Sequence, residues 1–275
     1  MRKPADPPLV TGKTETPPER HFHLPDSDDS AAARAVDALD RLLVEAPAIA
    51  ATLPPAFAVA ARRFVALLLA ANRLQNLTRV TDPDEIARLH LLDSLAALPI
   101  IDAAAPRSVV DLGSGGGLPA IPLAIARPEM RWILVESVGR KAAALAGFAD
   151  ALGLGNVAVV AERAETLGRD PHHREQYEMV TARACAPLPV LAELALPLAA
   201  IGGTLLAWKG PLTEQDEEVR RGRVAIGQVG GGPPRVVATE LPALGGHSFV
   251  TVVKERPTAP RFPRRPGDPG RRPLG

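Results

Sequence analysis

The chain has 275 residues, a formal net charge of +1 and a single cysteine, Cys185. That suits one substantial domain with appendages, or two small ones, excludes a disulfide framework, and leaves any affinity for nucleic acid to local patches. Met1-Arg2-Lys3 leads into Pro- and Asp-rich sequence without an apolar run, and the apolar stretches 57–74 and 188–201 are broken by Arg62-Arg63 and by Glu193 with prolines, so neither a secretory signal nor a membrane span is expected and the reducing cytoplasm is the expected compartment.

Residues 1–30 hold six prolines and six acidic residues with almost no apolar pattern, which predicts a disordered leader. Helical signals begin at Ala31 and run through Asp37-Ala38-Leu39-Asp40-Arg41-Leu42-Leu43. Beyond Pro54-Pro55, Phe57, Ala61, Phe64, Val65, Leu68 and Ala71 recur at helical spacing. Asp82 is placed to cap the next helix, with Pro83 in its first turn and Glu85 at the capping-box position. That helix runs through Ile86, Leu89, Leu92 and Leu95 and stops near Pro99. Residues 31–100 thus read as a helical N-terminal extension.

From Pro106 the pattern becomes an alternation of strands (108–112, 131–136, 157–162, 177–183 and 203–208) with helices, which predicts a parallel sheet covered on both faces. Two further strands, 234–241 and 247–253, are joined by a Pro/Gly loop too short for a helix and should pair antiparallel. Residues 101–255 therefore read as an α/β, Rossmann-like domain with a mostly parallel sheet and an antiparallel terminal strand. The basic, Pro/Arg-rich tail at 256–275 is expected to be disordered when free. It is either an RNA-contacting arm or a solubilising tail.

Asp111-Leu112-Gly113-Ser114-Gly115-Gly116-Gly117-Leu118-Pro119 lies between the strand-like Ser108-Val109-Val110 and the helical Ala120 to Ala126. A strand, a glycine turn and a helix bring backbone N–H groups and a helix N-terminus up to a ligand. Dinucleotide sites use G-x-G-x-x-G, whose third glycine lets the helix pack on the sheet. Here that position is Leu118, and Gly113, Gly115 and Gly117 read G-x-G-x-G. Glu136 ends the next strand-like run, 23 residues beyond Gly113, where it is placed to accept hydrogen bonds from ribose hydroxyls. The combination favours a nucleoside cofactor without a pyrophosphate, S-adenosylmethionine. An ordinary glycine turn is the blander alternative.

Several segments converge on one family: Asn76-Leu77-Thr78, His90-Leu91-Leu92-Asp93-Ser94-Leu95, Asp111 to Pro122, Glu136-Ser137-Val138-Gly139-Arg140-Lys141, Thr181-Ala182-Arg183-Ala184, Trp208-Lys209-Gly210, and Lys254-Glu255-Arg256 with Arg261-Phe262-Pro263-Arg264-Arg265-Pro266-Gly267 and Pro269. From about residue 36 to the C-terminus the chain resembles the bacterial 16S ribosomal RNA guanine-N7 methyltransferases, small-subunit methyltransferase G, also called glucose-inhibited division protein B. The resemblance implies a class I S-adenosylmethionine-dependent methyltransferase with an N-terminal helical extension, acting on a guanine in the 530 loop of 16S ribosomal RNA within the 30S subunit. It implies cofactor contacts at Gly113, Leu118, Ala164, Glu165 and Arg183, beside Gly115, Gly117 and Glu136 from the glycine-loop argument. No metal, membrane or obligate protein partner is implied. The chain departs from the family at Leu89, where a basic residue is usual; Arg88 stands one position earlier, about 100° round the helix.

The chemistry agrees with an N7 target. Methyltransferases of exocyclic amines often carry Asn/Asp-Pro-Pro-Tyr/Phe after the fourth strand, whereas this chain has Ala182-Arg183-Ala184-Cys185-Ala186-Pro187. Guanine N7 presents an unprotonated lone pair and needs no general base. Arg183 is a candidate to orient the base or to grip the cofactor. Cys185 is either a small buried residue or a thiolate nucleophile. His90 and Asp93 share a helical face and serve either the cleft or a contact between helix and core. Arg140, Lys141, Arg163, Arg183 and Lys209 follow successive strands along one rim, and with Arg261, Arg264 and Arg265 of the tail are candidate RNA contacts. Methylation of a small metabolite and a non-catalytic ribosome-assembly factor are the alternative functions.

Overall fold

The computed structural model describes residues 26–275, with side chains from Asp28 onward. Helices come first: α1 (Asp26–Leu43), α2 (Pro47–Ala50), α3 (Phe57–Gln75), α4 (Pro83–Ile86), which continues through a π-helical stretch (Ala87–Leu92) into α5 (Asp93–Leu95), and α6 (Leu98–Ala104). α1 reaches back before Ala31, because Asp28 and Asp29 find partners in Arg73 and Arg62 of α3. The rest of the expected leader, residues 1–25, lies outside the described residues. Asp82 caps α4 as its sequence position predicts, Oδ1 accepting from the N–H groups of Asp84 (3.0 Å) and Glu85 (3.1 Å). Glu85 does not close a capping box. Its carboxylate instead takes the Arg88 guanidinium at 2.9 Å, a charge-assisted bond.

The α/β part follows in the order β1 (Ser108–Leu112), α7 (Ala120–Ala126), β2 (Arg131–Val135), α8 (Gly139–Leu152), β3 (Val157–Val160), α9 (Ala164–Leu167), β4 (Tyr177–Arg183), α10 (Leu188–Ala195), β5 (Ala199–Lys209), α11 (Glu217–Gln228), β6 (Arg235–Ala238), a 3-10 turn (Pro242–Leu244), β7 (Ser248–Val253) and α12 (Asp268–Arg271). The strands form one sheet in the order β3-β2-β1-β4-β5-β7-β6. β1 to β5 run parallel, and β7 inserts antiparallel between β5 and β6, setting Trp208 opposite Phe249. This is the Rossmann-like sheet of class I methyltransferases. The chain leaves β1 toward β2 and β3 and returns to β4 on the other side, so the crevice at the carboxyl ends of β1 and β4 is the ligand-binding switch point.

Side chains alternate across the pleat. Val109, Trp132, Leu134, Met179, Leu206 and Phe249 face a layer made by α7, α8 and the N-terminal helices; Val110, Leu112, Val135, Val180, Leu205 and Val250 face α10 and α11. Phe64 of α3 packs edge-on against Phe148 of α8, with ring centroids 6.2 Å apart. The N-terminal helices thus share a core with the sheet, and that shared packing sets where their polar residues meet the strand ends.

The C-terminal tail corrects an expectation. Residues 256–275 do not hang free. Thr258, Phe262 and Pro269 are buried, Phe262 against the α10–α11 layer. A proline-rich segment has carbonyls to spare and few N–H groups of its own, and the arginines of the α9–β4 loop take them up. Arg174 donates to the carbonyls of Thr258 (2.6 Å), Ala259 (3.3 Å) and Phe262 (2.8 Å), and Arg169 to that of Pro263 (2.7 Å).

Candidate active site

The glycine loop is held at the carboxyl end of β1 by its neighbour strand. The N–H groups of Gly113 and Ser114 both donate to Val135 O, at 2.9 and 3.1 Å. Gly115 N–H donates to Glu136 Oε2 at 3.0 Å, and Glu136 Oε1 accepts from Val138 N–H at 2.8 Å. Glu136 therefore organises the loop through one bond at each oxygen, and each oxygen keeps a second lone pair for a ligand hydroxyl. Glycine is demanded most strongly at Gly117: its φ is +89°, and a Cβ there would stand 2.5 Å from Ile121 Cδ1. A Cβ on Gly116 would meet Leu68 Cδ1 at 3.0 Å and Leu77 O at 3.4 Å, so the N-terminal helical unit backs the loop directly.

Asp111 near the end of β1 is a further candidate that the motif argument did not single out. It is almost fully buried, Oδ1 accepts from Thr181 Oγ1 at 2.7 Å, and Oδ2 has no protein partner among the described residues. Burial pushes its carboxyl up to about 7, against hydrogen bonding from Ser114 and Thr181 and the charge of Arg183. The sequence signal was an acidic residue closing an otherwise apolar strand.

Arg183 ends β4 beside it. NH1 donates to Leu89 O (2.8 Å) in the π-helical stretch and to Asp93 Oδ2 (2.9 Å). Asp93 Oδ1 pairs with His247 Nδ1 at 2.9 Å, and Asp93 O accepts from Trp208 Nε1 at 2.9 Å. His90 Nε2 lies 2.7 Å from Thr78 Oγ1, and burial with the nearby Arg183 charge lowers its pKa to about 4, so the ring is neutral at neutral pH. Asp93 thus makes the polar contact between helical unit and sheet and fixes Arg183, while His90 bonds within the helical unit. Arg88, the displaced basic residue, turns away to Glu85 and to Ala243 O (3.3 Å).

Cys185 follows Ala184, and its sulfur faces Gly113. Cys185 is exposed at the rim rather than a small buried residue, yet desolvation by the protein around the sulfur, then the carboxylates of Asp111 and Glu136, push its thiol up to about 11. A thiol held protonated is the opposite of an activated nucleophile. Ala164 and Glu165 open α9 on the same rim, Glu165 buried with Oε1 accepting from Gly267 N–H at 2.8 Å.

The expected cationic rim divides in two. Arg140, Arg163, Arg261 and Arg265 are exposed, and Lys141 is half-buried. Lys209 is taken by Glu218 Oε1 (2.6 Å) and Ala186 O (3.0 Å), and Arg264 by Glu193, whose side chain is fully buried. Arg264 thereby neutralises a fully buried carboxylate, which cannot be left unpaired, and Lys209 a partly exposed one, so both cations already carry an intramolecular ion pair. Among the described residues there is no group of three or more His, Cys, Asp or Glu side chains placed to hold a metal, and no helix long and apolar enough to cross a membrane.

The rRNA small subunit methyltransferase G family matches residues 58–230. The ribosomal RNA small subunit methyltransferase G of Roseiflexus sp. (strain RS-1) is 46% identical over 212 residues, covering 77% of this chain and 89% of that protein. Its namesake in Deinococcus radiodurans is 45% identical, covering 77% and 83%, and that in Halalkalibacterium halodurans 39%, covering 74% and 85%. The alternation, the glycine loop with Glu136, the Arg183 rim and these matches agree: the chain belongs to the rRNA small subunit methyltransferase G family.

Proposed function

We propose that this chain transfers the methyl group of S-adenosylmethionine to N7 of a guanine in the 530 loop of 16S ribosomal RNA, on the 30S subunit, in the cytoplasm. The observation that carries the reading is the pairing, at one switch point, of an orphaned carboxylate oxygen on Asp111 with a cation, Arg183, locked in place by Asp93 and Leu89 O.

The residues present fit the cofactor. S-adenosylmethionine supplies an electrophilic methyl on a sulfonium. The unpartnered Asp111 Oδ2 is an acceptor for the ammonium of its amino-acid part. Gly113, Gly115, Gly117 and Leu118 offer close backbone approach, Glu136 holds lone pairs toward ribose hydroxyls, and Ala164-Glu165 flank the same rim.

The site supplies orientation and charge rather than proton transfer. Cys185 is held protonated and His90 is sealed against Thr78. An N7 acceptor needs neither. Arg183 is placed to grip the cofactor or to steady the base at its O6/N7 edge. The exposed Arg140 and Arg163, which follow β2 and β3, and the exposed Arg261 and Arg265 of the tail offer the charge a phosphate backbone requires.

The test is incubation of the protein with methyl-labelled S-adenosylmethionine and undermethylated 30S subunits, followed by borohydride–aniline cleavage, which breaks RNA at N7-methylguanine. One cleavage in the 530 loop supports the reading. Label transfer without cleavage rejects N7, and in a parallel incubation with protein-free 16S RNA, transfer to that RNA alone rejects the assembled subunit as substrate.

A further inference from the structure

The C-terminal tail packs along the α9–β4 loop, α10 and α9. Its first half is clamped by the α9–β4 loop, where Arg174 and Arg169 hold its carbonyls and Glu175 Oε1 accepts from Thr258 N–H at 2.6 Å. Its second half packs against α10 and touches α9. Arg264 sits on the buried Glu193 of α10, and beyond it Gly267 N–H reaches Glu165 Oε1 at 2.8 Å. Gly267 makes that reach at φ +85°. A Cβ there would meet nothing nearer than Arg271 NH2 at 3.8 Å, so backbone conformation, not space, selects glycine.

α9 is a single turn, Ala164–Leu167, following the half-buried edge strand β3. A helix of that length has no stability of its own and keeps its position only through tertiary contacts. Glu165 is only 6% exposed, and a carboxylate so placed needs a donor. It stands in the first turn of α9, directly after Arg163-Ala164, and its hydrogen-bond partner is Gly267 of the tail.

We propose that residues 266–275 act as a brace that positions Glu165, and with it the Arg163-Ala164-Glu165 corner, so that the tail sets affinity for S-adenosylmethionine rather than for RNA. This rests on the reading of Ala164-Glu165 as a cofactor contact. The physical route is preorganisation. With Gly267 in place the corner is ordered before the cofactor arrives; without it, ordering is charged against binding.

The experiment compares the full chain with one ending after Arg265. That truncation keeps the Arg264–Glu193 pair, the clamp on residues 258–263 and the exposed Arg261 and Arg265. Glu165→Ala is made in both backgrounds, and Glu165→Gln, which preserves the acceptor for Gly267 N–H, in the full chain. Affinity for S-adenosylhomocysteine is measured by calorimetry, affinity for a 530-loop RNA separately, and cooperative unfolding in urea confirms that each variant folds. The brace requires cofactor affinity to fall about tenfold on truncation and at least that much on Glu165→Ala, with no further fall when truncation is added to Glu165→Ala, since the tail acts on the cofactor through Glu165. Glu165→Gln recovers most of the loss, and RNA affinity does not move. A truncated chain that binds cofactor normally but loses RNA overturns the proposal and makes the tail an RNA arm. If Glu165→Ala weakens cofactor binding while truncation does not, the brace fails and the cofactor contact stands. If Glu165→Ala leaves cofactor affinity unchanged, the cofactor contact fails and the brace with it.

Discussion

Arg183 NH1 donates to Asp93 Oδ2 at 2.9 Å, joining the last residue of a sheet strand to the helical unit that precedes the sheet in sequence. The side chains are 16% and 5% exposed, and His247 closes the other side of Asp93. The pair ties the N-terminal helices to the candidate active site: they hold the cation in place at the strand end. Arg183→Ala is expected to abolish methylation while unfolding stays cooperative, because His247 can still face Asp93. Asp93→Ala should cost more stability, about 3–5 kcal/mol, since it strands Arg183 and brings it face to face with His247. Urea unfolding and single-turnover methylation of both variants check this; near-normal activity of Arg183→Ala would remove its assigned role.

Asp111 predicts a pH dependence of cofactor binding. Its folded carboxyl is raised from 3.8 to about 7, so between those values the folded protein binds more protons than the unfolded chain. Stability at this group is therefore present below pH 4 and is lost as pH rises toward 7. An ammonium placed at Oδ2 favours the ionised form. Cofactor affinity should accordingly rise from pH 5.5 to pH 8, with proton release on binding near pH 6. Asp111→Asn should flatten both profiles, stabilise the ligand-free protein above pH 7 and weaken cofactor binding. Calorimetry in two buffers of different ionisation enthalpy reads the proton directly, and equal affinity at both pH values would rule out the Asp111 contact.

Gly117→Ala puts a Cβ at φ +89° within 2.5 Å of Ile121 Cδ1. The strain of a non-glycine residue there is about 1–3 kcal/mol, to which displacement of Ile121 adds. The variant should lose that much in urea unfolding and bind cofactor more weakly, whereas Gly139→Ala, with open space around it, should change neither.

Cys185→Ala should keep methyl transfer within about threefold of the parent, because a thiol pushed up to about 11 is not a nucleophile at neutral pH. Loss of a hundredfold or more would show that the sulfur takes part in the chemistry.

The two classes of rim cation separate by stability. Arg140→Ala and Arg163→Ala should weaken RNA binding, each lowering the salt slope by about one, and leave the melting temperature unchanged. Arg264→Ala and Lys209→Ala should instead lower the melting temperature, because Glu193 and Glu218 lose their charged partners and keep only a backbone N–H each. Salt titrations beside thermal melts distinguish them.

The parts legible from the amino-acid sequence are those that local physics encodes. Strand and helix periods placed all the sheet strands within a few residues, the short Pro/Gly loop placed the antiparallel β6–β7 pair, and Gly113, Gly115, Gly117 and Glu136 announced the loop and the acid that organises it. Asp82 as a cap belongs to the same class. What sequence reading could not supply depends on which distant groups are brought within hydrogen-bond reach. Asp93 and Arg183 lie 90 residues apart, Glu165 and Gly267 102, and Glu193 and Arg264 71. Composition marked residues 256–275 as a free basic arm. Folding buries Phe262 and meets the tail's surplus carbonyls with Arg174, and its arginines then divide between structure and surface. A side chain's type sets what it can bind; burial and the neighbours delivered by the fold set whether Lys209 faces RNA or Glu218, and whether Asp111 keeps an oxygen in reserve for a ligand.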